Sequence, residues 1–124
     1  MDVDETVRDY YEALRRGEPL HPYFAEDDDL VKCGVSERLV GYDAVAEALR
    51  EQTRTTGDWR VESTDLRAVE RERHGWFADR VELAWTDLDR EVRHEFETRW
   101  SGPLDRREGQ WLFAGMHVSV ATAL

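Results

Sequence analysis

One cysteine, one lysine and three prolines are all that these 124 residues contain of those types. Cys33 has no partner for an internal disulfide, which excludes a disulfide-stapled fold and fits a reducing compartment. No run of about 18 apolar residues occurs, and Met1-Asp2-Val3-Asp4-Glu5 is acidic where a signal peptide is basic and then apolar. The expectation is a cytoplasmic protein with no membrane association. Internal repeats and low-complexity tracts are absent. The breaks at Pro19 to Pro22 and Gly102-Pro103 are short and flanked by patterned segments, so they read as connections inside one domain spanning 1–124.

Positive charge is scarce. Asp and Glu number 28 against 17 Lys and Arg, for a net charge of −11, and Lys32 is the single lysine among those cations. Such a field repels nucleic acid phosphates and anionic lipid. Carboxylate excess with almost no lysine reads as a salt-in halophile, or as an acidic protein from an Arg-rich genome; both put Glu26-Asp27-Asp28-Asp29 on a hydrated surface rather than around a metal.

Chemical motifs are also missing. There is no Gly-x-Ser-x-Gly, no Gly-rich phosphate loop, no His-x-His and no His-Glu-x-x-His, so hydrolase and nucleotide-binding readings are set aside and no cofactor or metal is expected. His94 and His117 fall on neighbouring strands where they could pair across a sheet, but no carboxylate completes a ligand set. His21 and His74 sit in loops and carry no assignment.

The apolar residues that are present have two periods. Val3, Val7, Tyr10, Tyr11 and Leu14 recur at three and four, with Asp2 and Glu5 spaced as a capping pair, which predicts a helix ending at Gly17. Pro19 to Ala25 suits a short helical turn with Leu20, Tyr23 and Phe24 inward. Asp29 to Gly34 reads as a short strand, Gly34 to Arg38 as a tight reversal, and Asp43 as the N-cap of a helix stopping at Thr55-Thr56-Gly57. From Trp59 onward the period is two, over Trp59 to Glu70, Phe77 to Asp87, Glu91 to Ser101 and a last strand from Trp111 to Val120. The first three have one apolar face. In the last, Trp111 and Phe113 lie on one parity while Met116, Val118 and Val120 lie on the other, which predicts burial on both sides. The fold class is α+β: N-terminal helices in the concave face of a strongly twisted antiparallel sheet, forming a cone. A homodimer through a Trp-rich convex sheet face would bury the second side of the last strand.

Glu97-Thr98-Arg99-Trp100-Ser101, then Arg106-Arg107-Glu108-Gly109-Gln110-Trp111, then Met116-His117-Val118-Ser119 resemble the closing hairpin of SnoaL-like domains in the nuclear transport factor 2 superfamily. The association domain of calmodulin-dependent kinase II is similar there. Gly41-Tyr42-Asp43-Ala44-Val45 matches the start of a helix in the same family, and the order of elements agrees along nearly the whole chain. The resemblance implies a mostly apolar pocket at the open end of the cone, on a scaffold that carries isomerases, cyclases, dehydratases and non-catalytic domains.

Individual roles follow from the same resemblance. Tyr10-Tyr11-Glu12-Ala13-Leu14 is similar to the first helix of ketosteroid isomerase, where a Tyr donates to the developing enolate; Tyr10 matches it, as oxyanion donor or as plain core. The isomerase's carboxylate base falls on Cys33, or on Gly34 under a shifted alignment. An ordinary thiol, with a pKa of about 8.5, is mostly protonated at neutral pH and does not replace it. Arg99 and His117 match the Arg and His of the family's closing hairpin. Arg99 would hold a planar anion in two-point fashion, or pair with Glu97 instead; His117 would act as general acid or base, or satisfy a buried group. Phe24, Cys33 and Trp85 join Arg99 as candidate ligand-binding residues. Strand parity sets Arg99 opposite Phe96 and Trp100, so both sets line one pocket only if a bulge intervenes. Loss of the carboxylate favours a small-molecule-binding or dimerisation domain over a lyase or isomerase using Tyr10, Arg99 and His117.

Overall fold

Local sequence signals set the first helix. In the computed structural model, which describes residues 1–124, α1 spans Val3–Arg16. The Asp2 carboxylate accepts from the Glu5 amide at 2.8 Å, and the Asp2 amide donates to Glu5 Oε1 at 3.2 Å, which closes the capping box. Gly17, at φ 68°, ends the helix in the left-handed conformation that glycine adopts without strain. The face carrying Val3, Val7, Tyr10, Tyr11 and Leu14 is buried.

A 3-10 turn over His21–Tyr23 follows. Then come β1 (Val31–Cys33), β2 (Arg38–Val40) and α2 (Tyr42–Thr55). Asp43 does not cap α2: Gly41 holds the N-cap position at φ 89° and no side chain caps the helix. Asp43 instead lies in the first turn, where its charge complements the helix dipole.

The sheet is completed by β3 (Thr56–Ser63), β4 (Arg67–Glu70), β5 (His74–Asp87), β6 (Val92–Arg107), β7 (Gln110–Phe113) and β8 (Gly115–Val120). Its order is β2-β1-β8-β6-β5-β3, with β4 also on β5 and β7 also on β6. Every pairing is antiparallel except β1 with β8, which is parallel, so the sheet is mixed rather than wholly antiparallel. The strand expected over Trp59 to Glu70 is broken in two. Between β3 and β4 the Thr64 amide donates to the Arg80 carbonyl at 2.9 Å and the Asp65 amide to Asp79 Oδ1 at 3.1 Å, which turns the chain away from the ladder.

Two-sided burial of the last strand is corrected by a bulge. Ser101 pairs with His117 and Leu104 with Phe113, so three steps along β6 oppose four along the returning chain. The extra residue reverses side-chain parity at Ala114, and Trp111, Phe113, Met116 and Val118 all enter the same core. Backbones touch at this point: a Cβ on Gly102 would stand 2.3 Å from the Gly115 carbonyl oxygen. Pro103 is tolerated mid-strand because it sits where β6 changes partner from β8 to β7.

Both helices pack on the concave side. The core joins α1 residues to Leu49 of α2, Val61, Phe77, Val81, Trp100, Phe113 and Met116. Tyr11 Oη donates to the buried Asp79 carboxylate at 2.9 Å, tying α1 to β5. The convex face is not Trp-rich. Trp76, 43% exposed, is the exposed tryptophan; Trp59, Trp85 and Trp100 lie on the concave side, and Trp111 is buried. Exposed Arg60, Glu62 and Glu82 form a charged network on the convex face instead.

Candidate functional site

Alternation along β1 decides what faces the cone. Leu30 and Lys32 turn inward, so the single lysine of the chain is 6% exposed, on a strand held between β2 and β8. From α1, Tyr10 and Leu14 face the same space; from the sheet, Trp59, Leu83, Trp85, Trp100, Met116 and Val118 line it. α2 supplies Ala48, Glu51 and Gln52, and Gly34 to Glu37 form part of the mouth. The cavity holds about 370 Å³, within the range of small-ligand sites.

Aromatic side chains make its walls rigid. Trp59 and Trp85 stack with ring centroids 5.1 Å apart, and Tyr10 meets Phe113 edge-on at 5.2 Å and Tyr23 at 5.3 Å. Trp100 Nε1 donates to Thr98 Oγ1 at 2.8 Å, while that hydroxyl donates to the Val81 carbonyl, so the indole is fixed against β6.

Two buried residues of the lining, Tyr10 and Lys32, carry polar groups without a hydrogen-bond partner in the protein. No side-chain polar atom sealed from solvent lacks a hydrogen-bond partner. The Tyr10 hydroxyl and the Lys32 amine make no side-chain hydrogen bond within the protein, neither is sealed from solvent, and both residues line the cavity. Burial pushes the Tyr10 phenol upward, with Tyr23 adding to the effect, so Tyr10 keeps its proton and is a donor. Burial pushes Lys32 downward, against the opposing influence of Glu37 and Cys33, because a charged ammonium is costly where water is scarce. Glu37 and Glu51 are exposed at the mouth, and Glu51 is paired with Arg54.

With this geometry in hand, the family model for the SnoaL-like domain matches residues 3–123. The chain belongs to the SnoaL-like domain family. Solved structures agree on the scaffold. A candidate dehydratase from the NTF2-like family of Streptomyces avermitilis superposes with a TM-score of 0.85 at 14% identity, covering 98% of this chain and 95% of that one. A ketosteroid isomerase-like protein from Erwinia carotovora atroseptica has a TM-score of 0.77 at 20% identity, covering 98% and 95%. A nuclear transport factor 2-like superfamily protein from Salmonella enterica serovar Typhimurium has a TM-score of 0.82 at 12% identity, covering 96% and 88%. At these identities the likeness shows the cone fold alone. No curated protein matches the chain.

In this SnoaL-like domain the residues expected at the site are separated by strand parity. Tyr10 and Trp85 line the cavity. Arg99 does not: it is exposed on the opposite face of β6 from Thr98 and Trp100, beside Arg80 and Glu97 at a shallow surface depression. His117 alternates with Met116 and Val118 and is exposed on the outer face of β8. Cys33 alternates with Lys32 and pairs with His117 in the ladder, away from the cavity lining. Phe24 is fully buried against Tyr10 and Phe113, a core residue and not a ligand contact. His94 stays on the concave parity, its ring centroid 5.1 Å from that of Trp85, so it does not meet His117 across the sheet. No three His, Cys, Asp or Glu side chains are grouped to hold a metal.

Tyr10, Arg99 and His117 therefore do not converge on one point of the cavity. Lys32 is the residue that sequence reasoning missed. Its signals were its place two residues after the apolar Leu30 on a short strand and its uniqueness among arginines.

Proposed function

We propose that this SnoaL-like domain binds a small, largely apolar organic molecule carrying one hydrogen-bond-accepting oxygen. The observation that carries the reading is the aromatic cavity of about 370 Å³ in which the Tyr10 hydroxyl and the Lys32 amine have no protein partner. Trp59, Trp85 and Trp100 would take the apolar body, and the two polar groups would hold its oxygen. The named relatives with dehydratase-like and isomerase-like descriptions make turnover of a carbonyl compound a second reading, favoured by Tyr10 at the position where ketosteroid isomerase has its hydroxyl donor.

Three of the cavity-lining residues are tryptophans, so their fluorescence reports occupancy. Titration with benzyl alcohol and cyclohexanol should give saturable quenching in the millimolar range or tighter, as expected for ligands of about eight heavy atoms. Ala48→Trp, which fills the cavity from α2, should abolish that response without unfolding the chain. Linear, non-saturating quenching in the unsubstituted protein would overturn the reading.

A further inference from the structure

We infer that Lys32 is the reactive group of this cavity: its ε-amine captures the carbonyl carbon of a small aldehyde or ketone as an imine, while Tyr10 donates a hydrogen bond to the carbonyl oxygen. The inference rests on the ligand-binding reading above and goes further, by assigning the ligand's functional group and a covalent bond to one atom of the chain.

Placement comes first. The chain uses arginine for every cation but this one, and the exception is the residue in the cavity. A guanidinium stays protonated and is no nucleophile, whereas an amine on a desolvated strand can be one. Lys32 also makes no ion pair. The titratable groups facing it are Tyr10 from α1, Glu37 from the β1–β2 turn and Glu51 from α2, with Cys33 next to it on β1. Both carboxylates are exposed at the mouth; Glu37 offsets only part of the cost of charging the amine, and burial, the larger effect, holds a larger share of neutral amine than an exposed lysine has.

Charge then selects the ligand. Two carboxylates against one amine in the lining, within a chain of net charge −11, repel a free carboxylic acid but not a neutral carbonyl. Tyr10 keeps its proton at working pH, so it presents a donor to that oxygen. The balance of the step is complete without any further reagent. The nitrogen lone pair forms a C–N bond, the carbonyl π pair moves to oxygen, and a proton passes from nitrogen to that oxygen to give the carbinolamine. The C–O bond then breaks, oxygen leaves as water after taking one more proton, and nitrogen forms C=N after losing its last. One water is released, and nothing is oxidised or reduced.

The test uses the whole chain with benzaldehyde and sodium cyanoborohydride, which converts an imine into a stable benzylamine, followed by peptide mapping. In a chain expressed as these 124 residues, the Met1 α-amine is the other primary amine and serves as internal reference. The expected result is Lys32 labelled at least tenfold faster than Met1. Tyr10→Phe should slow Lys32 labelling about tenfold and leave Met1 labelling unchanged. Lys32→Arg should confine label to Met1 with an unchanged far-ultraviolet circular dichroism spectrum. Label on Met1 alone, or equal Lys32 labelling in the cavity-filled Ala48→Trp variant, would overturn the inference. Benzyl alcohol, which cannot form an imine, separates the two levels: saturable benzyl alcohol binding with unlabelled Lys32 sinks the imine and leaves the binding reading standing, whereas loss of both sinks both.

Discussion

Lys32 is costly to the fold as well as available to a ligand. Its ordinary value is 10.5 and burial lowers it in the folded state, so between the folded value and 10.5 the unfolded chain holds more protons. Stability attributable to this group therefore rises with pH across that window and is lowest where the folded lysine must be charged. Lys32→Met removes the amine at nearly constant length. At pH 7 it should stabilise the protein by on the order of 1 kcal/mol, and the gap should close as pH approaches 10. Urea unfolding of both proteins at pH 7, 8.5 and 9.5 measures it, and a gap that does not change with pH would mean that the lysine is solvated. Of the site residues, Tyr10 was legible because helical spacing and a family match both pointed to it. Lys32 was not, because its inward direction depends on the pairing of β1 between β2 and β8, and a three-residue strand has too little pattern to reveal that. Arg99 and His117 matched a motif whose strand parity places them outside.

Elements were legible in proportion to how local their causes are. The α1 boundaries rest on a capping box and a left-handed glycine, both written within a few residues. Gly102-Pro103 misled, since a Gly-Pro pair ordinarily breaks a strand, yet β6 continues through it to Arg107. The reason is the bulge opposite, where Gly102 lets the β8 backbone approach. Gly102→Ala would drive a methyl group into a backbone carbonyl that cannot yield, and should destabilise by more than about 2 kcal/mol. Gly109→Ala meets no neighbour within 4 Å but carries φ 77°, so its cost is backbone strain alone and should be smaller. Thermal unfolding of the two variants side by side checks this ranking, and equal losses would argue against close packing at the bulge.

For the whole molecule, charge is the dominant quantity. A net charge of −11 repels itself, and salt screens that repulsion, so raising potassium chloride from 0.05 to 1 M, concentrations that shorten the screening length from over 10 Å to about 3 Å, should raise the melting temperature by on the order of 5 °C. A flat response would count against the proposed halophilic origin. Association of two copies through the convex face is also a proposal, and its basis has changed. Exposed Arg60, Glu62, Glu82 and Arg99 make that face charged, so a dimer there would weaken with salt, and light scattering across the same series would show it. No helix is long and apolar enough to cross a membrane.

By itself the sequence determined the α+β class, the helix-first order, the family, the first helix with its caps and the acidic surface, because each depends on short-range periodicity, local capping or simple composition. Tertiary structure decided which face each side chain takes. Strand pairing, one parallel contact between β1 and β8 and a single extra residue at Ala114 turn Lys32 inward and leave Arg99 and His117 outside. In a strand a shift of one residue reverses every side chain, so the contents of the cavity depend on register set by residues far apart in the chain.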